Sequence, residues 1–345
     1  MNQKSIVVIC LLFLAGVSNI FAQNEKSDEV IKVETTLVSV PVIVSDRQDR
    51  YVPNLTAKDF MIYQDGVEQK IDFFAATDEP LNIALLIDTS RSTTEVLDKI
   101  KDSALDFIQK FRPEDKAMIV SFDYAPHVLS PLTADREQLK RAIKNAKIGE
   151  FFGTTLHDAV FETVNKSLAQ IKGRKAIVLL TDGKDAGSRV YDTDLFYSLE
   201  ESDTLVYTIF YETGLMQRQN RPNFPGRRRG DIFGGRFPRD NERRFPRNDG
   251  GRRRERVERQ NEVAEEFLKK LSDKTAGRFY ASDAANLKKT FKMIIEELRF
   301  QYRLGFYPTA ETADKVLHQL KVKVSVSGAV VRARSSYRIQ SKSSN

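Results

Sequence analysis

Apolar and polar residues follow two different rhythms along the chain. Near both ends they alternate with a period of two, as in residues 30–44, which predicts half-buried β-strands. Between residues 81 and 300, short apolar runs alternate with stretches in which apolar residues recur every three or four positions. That rhythm predicts strands alternating with helices, and therefore a doubly wound α/β region with a mostly parallel sheet.

The α/β region is expected to contain six strands and five helices. The predicted strands are 82–87, 117–122, 127–132, 175–180, 204–211 and 277–281, with 127–132 at an edge of the sheet. The predicted helices are 93–111, 135–146, 156–171, 262–274 and 286–300. Apolar residues of the first helix share one face and are expected to be core: Val96, Ile100, Ala104, Phe107, Ile108 and Phe111.

Strand patterns precede and follow the α/β region. Residues 61–63 and 69–74 flank Asp65-Gly66, a hairpin signal, and the predicted C-terminal strands are 301–307, 319–326 and 329–333. Neither set is large enough to close a core alone, so we expect one small β-sandwich built from both ends, with the α/β domain inserted into it. The candidate core residues of this sandwich are Val38, Val40, Val42, Phe73, Leu320, Val322, Val324 and Val331.

Oxygen-bearing side chains lie in three loops of the α/β region. Asp88, Ser90 and Ser92 alternate directly after the first predicted strand. Thr154 precedes a helix, and Asp182 follows the strand 175–180. Carboxylates and hydroxyls are hard ligands that suit Mg²⁺ or Mn²⁺. Taken singly, the same residues also fit ordinary structural roles, since Ser92 could cap a helix and Asp182-Gly183 is a common turn pair.

Together the three loops resemble the metal-ion-dependent adhesion site of von Willebrand factor type A domains, whose pattern is Asp-x-Ser-x-Ser, then Thr, then Asp. The resemblance spans residues 81 to about 300. It implies that Mg²⁺ or Mn²⁺ is held by five residues, namely Asp88, Ser90, Ser92, Thr154 and Asp182. It also implies an adhesion or protein-binding module in which a partner's carboxylate completes the coordination of the ion. Phe152 stands where many members have glycine, which predicts a more apolar loop.

The basic charge of the chain comes from one segment. The 345 residues carry a net charge of +7, whereas residues 214–260 contain fifteen Arg, no Lys and six acidic residues. Such a composition predicts disorder. It also supports an alternative function, the binding of a polyanion or an anionic surface polymer through the region Arg218–Arg259; nucleic acid is disfavoured for a secreted protein.

The N-terminus has the pattern of a secretory signal peptide. Lys4 precedes an apolar run over residues 6–17, and Ala22 ends a cleavage-like sequence. The run is short for a membrane span, so no span is expected after cleavage. We expect a bacterial protein that is secreted, periplasmic or extracellular, whose layout resembles secreted von Willebrand A-related proteins. The only cysteine, Cys10, leaves with the signal, so no disulfide is expected.

These observations predict four segments. They are 1–22, a signal peptide; 23–79, the first part of the sandwich; 80–300, the α/β domain with the disordered insert 214–260; and 301–340, the second part of the sandwich.

A metal-dependent phosphoesterase is the remaining alternative. The three histidines, His127, His157 and His318, are scattered along the chain and indicate no general base. An aspartyl nucleophile of the haloacid-dehalogenase type would need a second Asp where Ser90 stands. We therefore expect a binding module and not an enzyme.

Overall fold

The computed structural model describes residues 37–76, 79–211, 249–283, 285–308 and 316–339. They form a six-stranded, mostly parallel sheet with helices on both faces, and two four-stranded antiparallel sheets. The predicted fold class is confirmed. The predicted signal peptide and residues 212–248 lie outside the described residues.

The strands alternate with helices only in the middle of the chain. The strands are β1 (Val38–Ser45), β2 (Phe60–Gln64), β3 (Val67–Gln69), β4 (Phe73–Ala75), β5 (Leu81–Asp88), β6 (Lys116–Phe122), β7 (Pro126–Thr133), β8 (Arg174–Thr181), β9 (Leu205–Phe210), β10 (Phe279–Ala281), β11 (Tyr302–Phe306), β12 (His318–Val324), β13 (Val330–Ala333) and β14 (Ser336–Tyr337). The helices are α1 (Leu97–Gln109), α2 (Arg136–Asn145), α3 (Leu156–Glu162), α4 (Asp192–Glu201), α5 (Asp249–Thr275) and α6 (Leu287–Arg299).

The central sheet has the order β10-β9-β8-β5-β6-β7, with β7 antiparallel at its edge. Strands β5 and β8 are apolar along nearly their whole length because helices cover both faces of the sheet. Helices α1, α2 and α6 pack on one face, and α3, α4 and α5 on the other. The six residues predicted to form the core face of the first helix are all buried.

Each sheet of the sandwich takes strands from both ends of the chain. In the first, β1 lies between β13 and β11, and β4 pairs with β11; in the second, β12 lies between β14 and β2, and β3 pairs with β2. Their facing side chains form a separate core around Val40, Ile62 and Leu304. Phe73 was predicted to belong to this core, but its neighbour Phe74 packs there, because Phe74 is the residue opposite the buried Leu304.

Two predicted helices before residue 249 differ from the observed ones, and one observed helix was not predicted. Helix α1 begins at Leu97 and not at residue 93, because Arg91–Thr93 forms a 3₁₀ turn. The helix predicted over 156–171 ends its α-helical part at Glu162 and continues as a π-helical turn over Thr163–Ser167. Helix α4 was not predicted, although Leu195, Phe196 and Leu199 give it a buried face.

The prediction of disorder over residues 214–260 is wrong for residues 249–260, and its remainder lies outside the described residues. Helix α5 begins at Asp249, so residues 249–260 are helical. Arg and Glu are good helix formers, and Glu255 stands four residues before Arg259, a favourable spacing on a helix. The high charge of this stretch therefore does not prevent it from extending a helix whose later turns are anchored in the core.

The sandwich joins the α/β domain at the end opposite the candidate loops. The chain enters β5 at Leu81, the amino end of a parallel strand, and returns to the sandwich at Tyr302 after α6. Within the described residues, no helix combines the length and the apolar character that a membrane crossing requires.

Candidate functional site

Two buried carboxylates lie at the carboxyl ends of neighbouring parallel strands. Asp88 is the last residue of β5, Asp182 follows the last residue of β8, and the two strands pair in register up to Ile87 and Leu180. Asp88 is 0% exposed and Asp182 is 1% exposed. Burial and the charge of Asp182 raise the pKa of Asp88 to about 7. The fold thus places two acids where their mutual repulsion favours a cation.

Thr181 fixes the orientation of Asp88. Its hydroxyl donates to Asp88 Oδ2 at 2.7 Å and accepts the backbone N–H of Gly183 at 2.9 Å. The hydroxyl therefore links the ends of β5 and β8 directly. Sequence reasoning missed this residue, since only the pairing of the two strands brings Thr181 next to Asp88.

The two serines extend from the buried carboxylate to the surface. The Ser90 N–H donates to Asp88 Oδ1 at 2.9 Å, and the hydroxyls of Ser90 and Ser92 are 3.0 Å apart. Ser90 is buried, whereas Ser92 is exposed. Asp88, Ser90 and Ser92 thus form one connected group that reaches solvent at Ser92.

Thr154 is joined to the site through its backbone. Its carbonyl accepts the N–H of Ala186, in the loop that follows Asp182, at 2.9 Å. The preceding Gly153 has φ 134°, a conformation that side-chain-bearing residues rarely adopt, so the backbone of this loop favours glycine here. The structure therefore brings Asp88, Ser90 and Ser92 together directly and ties the loops of Thr154 and Asp182 to each other.

Lys184 is a neighbour of the site that the sequence did not reveal. Its ammonium nitrogen lies 2.8 Å from Asp182 Oδ2, and its side chain is about one-third exposed. The tethered ammonium compensates part of the negative charge of Asp182. A cation at this oxygen would compete with the ammonium for the charge of Asp182.

The environment of the Tyr211 hydroxyl indicates whether the site fits a hydrated cation. Its hydroxyl is buried and has no hydrogen-bond partner among the described residues. Burial, followed by the charges of Asp88 and Asp182, raises its pKa well above the usual value. An unpaired hydroxyl beside two acids fits a hydrated cation, whose water molecules can satisfy it. Within the described residues no three His, Cys, Asp or Glu side chains cluster, so such an ion would depend on the hydroxyls too.

Exposed aromatic side chains flank the site on the side of β5 and β6. Phe152 is 82% exposed, Phe151 60% and Tyr124 47%. The Arg91 guanidinium lies over the Phe152 ring, 4.1 Å from its centroid, and the Phe151 and Tyr124 rings meet edge to face at 4.9 Å. We call these four residues the aromatic rim.

A groove of about 1090 Å³ opens on the opposite side, between α5 and the loop after β8. Its charged lining residues are balanced, with three acidic and three basic side chains: Asp185, Asp192, Glu255, Lys184, Arg256 and Arg259. Phe267 and Val263 supply apolar surface. The described part of the groove therefore does not favour a polyanion by charge.

The three histidines lie apart and each has a partner. His127 Nε2 is 3.0 Å from Asp123 Oδ1, His157 Nδ1 is 3.2 Å from the Val190 carbonyl, and His318 Nδ1 is 2.8 Å from Asp65 Oδ2. These contacts lie in different parts of the structure, so the three histidines do not form one cluster.

Residues 83–184 match the family model for the von Willebrand factor type A domain. The match begins in β5 and ends just after Asp182, so it contains all five candidate ligands. A comparison with curated proteins finds no match.

Several solved structures are similar to the chain at low identity. An aerotolerance-related membrane protein from Bacteroides fragilis is 18% identical, with a TM-score of 0.44, 63% of this chain covered and 98% of that one. The von Willebrand factor domain of the type V pilus tip protein Mfa5 from Porphyromonas gingivalis is 14% identical, with a TM-score of 0.43 and coverages of 63% and 94%. Proximal thread matrix protein 1 from the mussel byssus, in a structure whose MIDAS motif is occupied by zinc, is 15% identical, with a TM-score of 0.43 and coverages of 64% and 48%.

Proposed function

Residues 83–184 belong to the von Willebrand factor type A domain family, and we propose that this chain is a divalent-cation-dependent protein-binding module outside the cytoplasm. The observation that carries the proposal is the pair of buried acids, Asp88 and Asp182, at the ends of adjacent strands. Two acids held this way repel each other unless a cation lies between them or one is protonated.

Five residues would hold the ion: Asp88, Ser90, Ser92, Thr154 and Asp182. Their oxygens are hard ligands, which favours Mg²⁺ or Mn²⁺ over softer metals. A divalent ion with two carboxylates among these residues would be neutralised by them, but its coordination leaves room for a further oxygen ligand. The exposed Ser92 marks the direction from which that ligand would come.

The partner would supply this ligand as the carboxylate of an aspartate or glutamate. An ion held there would offer the acid a coordination position, and the residues of the chain would hold and orient the ion. Adhesion is the biological role that fits such a module. The proposed signal peptide over residues 1–22 accounts for export, and the segments 23–79, 80–300 and 301–340 are the proposed domains.

A phosphoesterase would need a general base within hydrogen-bond reach of the reacting group. His127 contacts Asp123 and His157 contacts the Val190 carbonyl, and neither contact joins a histidine to Asp88. The polyanion alternative rests on the region Arg218–Arg259, of which only the part from Asp249 onward is described.

Calorimetric titration with Mn²⁺ and Mg²⁺ tests the metal assignment. We expect about one ion per chain, and no binding in Asp88→Ala or Asp182→Ala, while the exposed Asp98→Ala binds normally. Crosslinking to envelope extracts with Mg²⁺, with EDTA and with Asp88→Ala then tests the function. Equal metal binding in all variants, or the same crosslinked partners in EDTA, would overturn the proposal.

A further inference from the structure

The aromatic rim is an exposed apolar surface on the same loops as the candidate metal ligands. Arg91 lies between Ser90 and Ser92, and Phe152 is two residues before Thr154. Phe151 and Phe152 are adjacent in sequence and both mostly exposed, which costs solvation free energy in the isolated protein. Clustered exposed aromatic residues mark interaction surfaces.

The rings are held in place by their neighbours. The Arg91 guanidinium lies over one face of Phe152, and its Nη2 donates a hydrogen bond to the Glu150 carbonyl. Phe151 meets Tyr124 edge to face, and the Tyr124 ring also contacts His127, with 5.7 Å between centroids. The rim is therefore a shallow, preorganised surface and not a pair of freely rotating side chains.

We propose that the aromatic rim binds the apolar residues that flank the metal-binding acid in a partner protein. The inference rests on the proposed function, because the carboxylate sets where the partner segment lies. The occupant is then an acidic segment in which the aspartate or glutamate stands beside large aliphatic or aromatic residues. The positive charge of Arg91 at the rim complements the acid of such a segment.

A lipid bilayer fits the same rings less well. Insertion into a membrane would engage the rings but would present no aspartate or glutamate side chain to the candidate ligands on the same loops. The aromatic rim lies on the same loops as the candidate metal ligands, so one bound segment can contact the rings and the ion site together. A protein segment is the occupant that uses the ion and the rings together.

The test uses four immobilised peptides that differ only around one central residue. The central residue is aspartate or asparagine, and its neighbours on both sides are leucine or serine. In Mg²⁺, surface plasmon resonance should show the aspartate–leucine peptide binding about tenfold more tightly than the aspartate–serine peptide. Both asparagine peptides should bind weakly.

Variants separate the contribution of the aromatic rim to peptide binding from that of the metal ion. The double variant Phe151→Ser, Phe152→Ser should lose the tenfold preference for leucine-flanked peptides but keep its Mn²⁺ affinity. The double variant Phe151→Leu, Phe152→Leu should retain both. Val67→Ser removes a similarly exposed apolar residue from β3 of the sandwich and should change neither quantity.

Three results would overturn the inference. Equal binding of leucine- and serine-flanked peptides that still requires Mg²⁺ and Asp88 rejects the rim but leaves the proposed function standing. Peptide binding that is unchanged in Asp88→Ala rejects the proposed function itself. Metal-independent binding to phosphatidylcholine–phosphatidylglycerol vesicles, or self-association, that disappears in the double serine variant would assign the rings to a membrane or to a second copy instead.

Discussion

Glu297 of α6 and Arg332 of β13 form an ion pair between the α/β domain and the sandwich, and the Glu297 carboxylate is fully buried. Its other oxygen, Oε2, lies 3.1 Å from Arg278 Nε and accepts the Tyr51 hydroxyl at 3.2 Å. One buried acid therefore links the last helix to both terminal segments of the chain.

Removing this acid should destabilise the protein strongly. Glu297→Ala leaves Arg332 without its counter-charge and Arg278 with only the more distant Asp49, at 3.6 Å, and we expect a loss of about 3–5 kcal/mol in the free energy of unfolding. Urea denaturation measures it. The neighbouring Glu296→Ala, whose side chain is exposed, should cost less than about 0.5 kcal/mol. Similar small losses in both variants would show that the network is not important for stability.

Asp203 predicts how stability depends on acid pH. Burial alone would raise its pKa, but the ion pair with Lys175 at 2.7 Å and hydrogen bonds lower it overall. A carboxyl with a depressed folded pKa stabilises the protein above its unfolded pKa of 3.8, and this contribution is lost as the pH falls through the folded value. Asp203→Asn should therefore be less stable than the wild type by a constant amount between about pH 5 and 7.

Below about pH 4 the difference in the free energy of unfolding between the two proteins should narrow. The unfolded wild type then takes up a proton at Asp203, which favours unfolding, whereas Asp203→Asn has no carboxyl at this position. Chemical denaturation at a series of pH values measures the gap. Lys175→Met should remove most of the same acid dependence. A gap that stays constant down to the acid limit of the native state would contradict the assignment.

The sequence was sufficient for the parallel strands because most of them are largely apolar. It was also sufficient for the loops because Asp88 and Asp182 follow apolar runs. The roles of Thr181, Lys184 and Tyr211 depend on which strands are neighbours, and no local pattern contains that information. Helix α5 begins earlier than predicted, because an Arg-rich composition is typical of disorder, whereas the mixed Arg and Glu residues of this stretch also suit a helix. The identity of the metal ligands stays a prediction.

Thr181 should affect metal affinity without touching the ion. Thr181→Val keeps the shape of the side chain but removes the 2.7 Å hydrogen bond to Asp88. Hydrogen-bond partners of ligands typically change metal affinity by about 10–100-fold, so we expect a Mn²⁺ affinity lower by at least about tenfold. Thr208→Val, another buried threonine, in β9, is the control and should leave Mn²⁺ binding unchanged. Equal affinities in the two variants would show that Asp88 is positioned by other contacts.

Lys184 should act in the opposite direction. Its ammonium competes with a metal ion for Asp182, so Lys184→Met should raise Mg²⁺ affinity by about two- to fivefold, the effect of an ion pair whose lysine is partly exposed. Titration calorimetry measures the affinity, and the more exposed Lys166→Met serves as the control. A lower affinity in Lys184→Met would mean that the lysine orients Asp182 for the ion.

Val40 tests whether the two terminal segments form one cooperative unit. It is fully buried in β1, opposite Leu304 of β11, and β1 also pairs with β13. Val40→Ala should lower the stability of the sandwich by about 2 kcal/mol through the cavity that it leaves. Hydrogen exchange measured by mass spectrometry should then become faster in β1, β11 and β13 together, although these strands are far apart in sequence.

Val178→Ala provides the matched change in the other core, because Val178 is fully buried in β8 of the central sheet. It should accelerate exchange in β5 and β8, whereas Val40→Ala should leave those strands at the rate of the wild type. If Val40→Ala accelerates exchange in β1 but not in β11 and β13, the terminal segments open independently, and the proposed single sandwich domain is wrong. If it accelerates all sheets equally, the sandwich and the α/β domain unfold as one unit.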